Sequence, residues 1–213
     1  MTLSLKVDAK SSVVGKTIAL VAAHSGDASK IALAEGAAAG TASLDTPDAG
    51  KLDGLATIYK YVANFLSGDG PTSFTGANLE QEAAIAEWLN RAVVDYGVTG
   101  AVGDDKLADL NTHLLTRSTL CGPSDAVTLA DLVVYGTVHG AVAALSADKR
   151  SAMCNLTRWV DYVGRVAGGD AVFGKIVIVH AEIPNLAAAA VAAAPAAGKG
   201  GKDAKGGGDK KGS

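Results

Sequence analysis

The residues of this 213-residue chain that could carry chemistry are four histidines, two cysteines, a few serines and some paired carboxylates. His24, His113, His139 and His180 stand far apart, with no His-x-x-x-His spacing; Cys121 and Cys154 make no Cys-x-x-Cys pair. Tight ligand clusters are what zinc and redox motifs require, so no metal site, disulfide framework or cofactor is expected. Gly15, Lys16 and Thr17 look like the end of a phosphate loop, but the upstream glycine of that motif is missing. Asp104 and Asp105, like Glu80 and Glu82, fall where helices should begin, and carboxylates there stabilise the exposed N–H groups of the first turn. No Ser/His/Asp set emerges from spacing. Trp88 and Trp159 lie on apolar faces and read as core, not as stacking platforms for bases.

If these residues do no chemistry themselves, the elements that hold them become the more informative feature. Hydrophobic residues make up 48% of the chain and aromatics 5%, with 26 glycines, so the core must rest on a modest set of Leu, Ile, Val, Trp and Tyr. The length suffices for one full core. Net charge is −3, which by itself argues against a broad nucleic-acid footprint. The last 19 residues carry five lysines and two aspartates, a local +3 that leaves −6 on the body. Lys199, Lys202, Lys205, Lys210 and Lys211, strung on glycine, would give weak, sequence-independent phosphate contacts. Composition from 196 onward cannot support a core and predicts disorder. No signal peptide or membrane span is read, and cytosol is the expected compartment. The lysine-rich string breaks off without a following domain, which we read as a longer protein ended within a linker.

Residues 1–53 predict a reduced α/β lobe or an extension packed on the helical body. Leu3, Leu5 and Val7 alternate as a strand does; 17–23 (TIALVAA) reads as a second strand, 28–38 as a helix, and the Gly/Ala-rich run to Gly50 as a loose connection. Residues 54–182 predict a helical domain with a C-terminal extension. Leu55, Ile58, Tyr59, Val62, Phe65 and Leu66 share one helix face; Asn78, with Gln81 in a capping box, starts the next; Asp104 caps a third. The sharpest local signal is Val127 to Leu132. Thr128 and Asp131 form a capping box, inside a hydrophobic staple of Val127 and Leu132, for a helix running to about Leu145. Gly136 and Gly140 in that helix mark close contact with a neighbour. A last helix covers 155–166, with Leu156, Trp159, Val160 and Val163 buried; 173–179 reads as a strand or an extended segment over the helices. Residues 183–213 are the Ala-rich segment and Gly/Lys linker.

The order NLEQEAAIAEWL (78–89), LNTHLLTRSTLCG (110–122), VTLADLVVYG (127–136) and NLTRWVDYV (155–163) resembles the C-terminal helical domain of the glutathione-transferase fold. Glu80, Gln81, Trp88 and NLTRW narrow the resemblance to its variant in translation proteins. These are aminoacyl-tRNA synthetase accessory proteins of the p43/Arc1p type, amino-terminal extensions of methionyl- and glutamyl-tRNA synthetases, and elongation factor 1 gamma. The fold this implies is mainly α: a helical bundle, a reduced thioredoxin-like amino-terminal lobe and a disordered basic tail.

The function implied is a non-catalytic docking domain. It would bind a methionyl- or glutamyl-tRNA synthetase, or a second copy of itself, and tRNA would be bound mainly by a domain outside these residues. One docking face would be formed by the early helices and another around Arg158, with Asn155, Thr157 and Asp161 beside it. In relatives the matching arginine pairs across the interface with a partner's arginine or acidic group; an ordinary solvent-facing arginine is the plain alternative. An active transferase would need a catalytic Tyr, Ser or Cys near the first strand, a cis-proline and a Glu-Ser pair. Residues 1–53 hold no Tyr or Cys, only Pro47, and no Glu-Ser; Ser11 and Ser12 remain formal candidates.

Overall fold

The structure, a computed structural model, describes residues 2–46, 50–67, 74–121 and 126–178. These lie within one compact unit spanning Met1–Ile178. The predicted basic tail, His180, the Ala-rich segment and the five tail lysines fall outside the described residues.

Strand β1 (Leu3–Val7) buries Leu3, Leu5 and Val7 and exposes Ser4 and Lys6, as its alternation requires. It pairs in parallel with β2 (Ile31–Glu35) and antiparallel with β3 (Ala42–Thr46), which pairs with β4 (Gly50–Leu52), giving the order β2-β1-β3-β4. Parallel neighbours need a crossover, and α1 (Val13–His24) supplies it. The expected strand at 17–23 is therefore helix. Val14, Ile18, Val21 and Ala22 are buried at helical spacing, and the Ser12 hydroxyl caps the start by accepting from the Gly15 amide at 3.0 Å. The expected helix at 28–38 is a single 3-10 turn (Ala28–Lys30) followed by β2, and the expected loose connection to Gly50 holds β3. Alanine misled there: in β2 and β3 it sits at sheet positions whose pairing comes from residues some thirty places away in sequence.

The helical part matches its periodicity more closely. Helix α2 (Leu55–Ser67) buries Leu55, Ile58, Tyr59, Val62 and Leu66, packing on α1 and β3 as well as on the helices that follow. Helix α3 (Leu79–Arg91) starts at Asn78, whose side chain accepts from the Gln81 amide at 2.9 Å. Gln81 reaches back one residue further than a standard box, accepting from Ala77 N, and donates through Nε2 to the Cys121 carbonyl. A π-helical turn (Ala92–Tyr96) follows. Helix α4 (Asp104–His113) is capped by Gly103, so Asp104 is its first helical residue and not the cap. A 3-10 turn (Leu114–Thr116) ends it.

Helix α5 (Leu129–Ala144) forms the axis of the body: ten consecutive residues from Leu129 to Val138 are buried, as in a helix covered on all sides. Its capping box of Thr128 and Asp131 is present. Gly136 lies against Thr17 of α1 and Gly140 against the Gly100 carbonyl, the close approaches their missing Cβ atoms permit. Helix α7 (Cys154–Val166) buries Leu156, Trp159, Val160 and Val163; two short helices that the periodicity did not reveal, α6 (Ala147–Ala152) and α8 (Gly169–Phe173), flank it. Residues 174–178 have no regular structure.

Candidate docking site

Ser12, a formal candidate for a catalytic hydroxyl in the amino-terminal lobe, is tied up locally. Ser12 Oγ lies 2.5 Å from Asp8 Oδ1 and 2.7 Å from the Ala9 carbonyl, and accepts from Gly15 N. Burial pushes the Asp8 carboxyl up, but the Ser12 hydroxyl and the Gly40 and Ala9 amides outweigh it and hold the group below its ordinary range. Asp8 is therefore a settled anion that organises the start of α1 and bridges to Gly40, and a poor base. Ser11 is exposed in the preceding turn. Gly15 is needed sterically: a Cβ there would sit 2.4 Å from the Ala9 carbonyl.

The described histidines and cysteines have structural surroundings. His113 Nε2 meets the Leu120 carbonyl at 3.3 Å, His139 Nε2 the Gly174 carbonyl at 2.9 Å, and His24 packs edge-on against Phe74. Burial, first among the causes, lowers the pKa of all three. Unfolded histidines titrate near 6.5, so below that value the unfolded chain takes up protons that the folded chain refuses. Stability is then present above about pH 6.5 and falls as acid is added. Asp131 acts with the opposite sign, because burial raises its pKa and favours the protonated folded form. Thermal unfolding should show a lower midpoint at about pH 5.5 than at about pH 7.5. Asn in place of His113 and His139 should flatten that difference. Cys121 is buried and its thiol is pushed up to about 12, by burial and then by Asp131, which makes it inert; Cys154 is exposed. Among the described residues no group of three or more His, Cys, Asp or Glu could hold a metal, and no helix is long and apolar enough to cross a membrane.

The four residues placed on a docking face share the first two turns of α7 without converging on one spot. Asn111, from α4, accepts from the amides of Asn155 and Leu156 at 3.0 and 3.1 Å, capping α7 from a neighbouring helix. Thr157 is buried and donates its hydroxyl to the Arg150 carbonyl. Asp161 pairs with Arg165. Arg158 is exposed, and its Nη2 donates to the carbonyls of Leu114 and Arg117 at 2.9 Å each. It thereby pins the turn after α4, at whose tip Leu115 is 64% exposed. Trp88 and Trp159 are buried, and the Trp159 indole donates to Asp131.

Two grooves adjoin these elements. A larger one, about 950 Å³, runs between α3 and residues 113–121, lined among others by Gln81, Trp88, Arg91, His113, Arg117 and Leu120. A smaller one, about 370 Å³, lies between α2 and α3 with Lys60, Tyr61, Asn64 and Leu89 in its wall. The first escaped the sequence reading, because Arg117 sits in an irregular turn with no periodicity to flag it.

No family model matches the sequence. The chain is similar to eukaryotic translation elongation factor 1 epsilon-1 of Cricetulus griseus, with 26% identity over 122 residues, 56% of this chain and 67% of that protein. Among solved structures it is similar to a glutathione S-transferase from Pichia kudriavzevii, at TM-score 0.58 and 20% identity over 82% of this chain and 97% of that one. A glutathione S-transferase domain-containing protein of Marinobacter aquaeolei VT8 gives TM-score 0.57 and 18% identity, covering 76% of this chain and 97% of the other. The fold is thus glutathione S-transferase-like: a mainly helical C-terminal region beside a small mixed sheet.

Proposed function

We propose that this chain is a non-catalytic docking domain of the translation apparatus, cytoplasmic, with a thioredoxin-like amino-terminal lobe that has lost its transferase role. The observation that carries the reading is the sequence similarity to a translation elongation factor 1 subunit on a transferase-like fold. The position of Ser12 supports it: its hydroxyl caps α1 and is engaged with an Asp8 carboxylate held as an anion, where a transferase needs a hydroxyl free to donate to the thiolate of glutathione. In the finer form we favour, the domain belongs to a tRNA-binding synthetase accessory protein of the p43/Arc1p type and holds a methionyl- or glutamyl-tRNA synthetase. Tethering then makes a weak RNA contact effective by raising its local concentration. The relative's name favours a second form, docking among elongation factor 1 subunits.

Affinity capture from cytosol, with and without ribonuclease, separates the two. Retention of a methionyl- or glutamyl-tRNA synthetase after ribonuclease is the expected result. Recovery of elongation-factor subunits alone would select the second form, and turnover of glutathione with an electrophile would sink both. Arg158→Ala tests the α7 face. Loss of its two hydrogen bonds to the 114–117 turn should cost about 1 kcal/mol and weaken partner retention by more than that change in folding explains. A partner bound undiminished by this variant would make Arg158 purely structural.

A further inference from the structure

The docking reading leaves open what kind of partner surface is recognised, and the larger groove addresses that point while resting on that reading. We infer that the groove between α3 and residues 113–121 receives a protein segment carrying an acidic side chain beside apolar ones, with Arg117 meeting the carboxylate over a floor of Trp88 and His113.

Size and lining come first. A volume of about 950 Å³ lies within the range of ligand-sized clefts. Its floor joins the edge of the largely buried Trp88 ring to the His113 ring, edge-on with centroids 4.8 Å apart, and half-buried Ala84 adds apolar surface. Electrostatics come second. All five arginines of the chain lie between positions 91 and 165, and three of them meet here. Arg91 and Arg117 line the groove, while Arg158 grips the Arg117 carbonyl from behind. Arg91 lies over Trp88 and is paired with Glu87 at 2.7 Å, which leaves Arg117 as the better placed cation. The His113 pKa is lowered, first by burial and then, against its hydrogen bond to Leu120, by Arg117 and Arg91, while Glu87 acts the other way. Rigidity comes third. The backbone of Arg117 is held at its amide by Leu114 O and at its carbonyl by Arg158, so the side chain projects from a fixed backbone position.

The same lining argues for a peptide over a nucleic acid. Glu80 and Glu87 stand along the α3 side of the groove, where a run of phosphates would pass two carboxylates. A single carboxylate directed at Arg117 meets no such penalty, and a basic neighbour in the segment would find Glu80.

The test titrates the full chain, labelled with nitrogen-15, with three blocked peptides of sequence GSLLXLLSG in which X is Asp, Asn or Lys. The Asp peptide should shift the Trp88 indole N–H resonance and bind about tenfold more tightly than the Asn peptide. Arg117→Glu, at an exposed position, should reverse the order so that the Lys peptide binds best. Equal binding of all three peptides, or none that moves Trp88, would overturn the inference. So would an oligouridylate decamer that moves Trp88 more strongly than the Asp peptide does. Retention of a synthetase by wild type and Arg117→Glu alike, with inert peptides, would remove the groove and leave the docking domain standing. Capture of no translation protein, with the Asp peptide still bound at Trp88, would do the reverse.

Discussion

Asp131→Ala should be the most damaging single substitution in the helical body, costing about 4 kcal/mol and lowering the unfolding midpoint by about 8–16 °C. The side chain is 0% exposed and serves four donors. Its Oδ1 accepts from the Leu120 amide and the Trp159 indole at 2.9 Å each; its Oδ2 accepts from the Thr128 amide at 2.9 Å and the Thr128 hydroxyl at 2.7 Å. Alanine would leave these buried donors without an acceptor, at about 1–3 kcal/mol each before water or relaxation repairs some of the loss. The carboxylate itself is costly to bury, which is why its pKa is raised, but removing it does not recover that cost while its donors stay in place. Asp131→Asn sharpens the test. Its amide oxygen can keep the Oδ1 pair, whereas its NH₂ would face the Thr128 amide donor-to-donor. About half the loss is expected, read by urea denaturation with Trp159 fluorescence as the probe. Equal stability of wild type and the Asn variant would mean that the bridge to α7, and not the box, carries the weight.

That bridge shows where sequence reading stops. Thr128, Asp131 and the staple around them are contiguous, and the chemistry of helix starts suffices to find them. The second half of Asp131's role lies 11 residues upstream at Leu120 and 28 downstream at Trp159, which no local pattern displays. Arg158 repeats the lesson. Its motif marked it through resemblance, yet the carbonyls it grips are 44 and 41 residues earlier. Helices α2, α3 and α7 were legible because large apolar side chains recur at three- and four-residue steps on one face, and α5 because its capping box and staple mark its start. The amino-terminal lobe was not. In 17–23 the apolar residues run together, so helix and strand periods fit equally well, and in β2 alanine alternates too weakly to signal a sheet. What decides both is pairing: β1 and β2 run parallel, and that requires a helix between them. The groove beside Arg117 was hidden for a related reason, since one wall is a 3-10 turn and its irregular sequel rather than a periodic face.

Gly136→Val should rank second, at about 3 kcal/mol, because it drives apart the helices that join the lobe to the body. An ideal Cβ at 136 would lie 2.1 Å from Thr17 Oγ1 and 3.2 Å from both Thr17 Cβ and the Phe173 ring. Two effects compete in the milder Gly136→Ala. Alanine favours the helix by about 1 kcal/mol, while the clash costs about 1–3 kcal/mol. Thr17 cannot swing clear cheaply, since it is fully buried with its hydroxyl donated to Val13 O at 2.7 Å. Nor can α1 retreat, because Ile18 and Val21 are locked in the core above the sheet. The clash should therefore win, leaving Gly136→Ala less stable by about 1 kcal/mol. Thr17→Ala removes the offending oxygen and leaves a tight but tolerable contact at 3.2 Å, so in that background Gly136→Ala should become neutral or stabilising. Denaturant midpoints for the four proteins of this cycle should give a coupling above about 1 kcal/mol. Strict additivity would show instead that α1 slides on α5. The small residues at 136 and 140 would then be tolerating motion between lobe and body rather than fixing their contact.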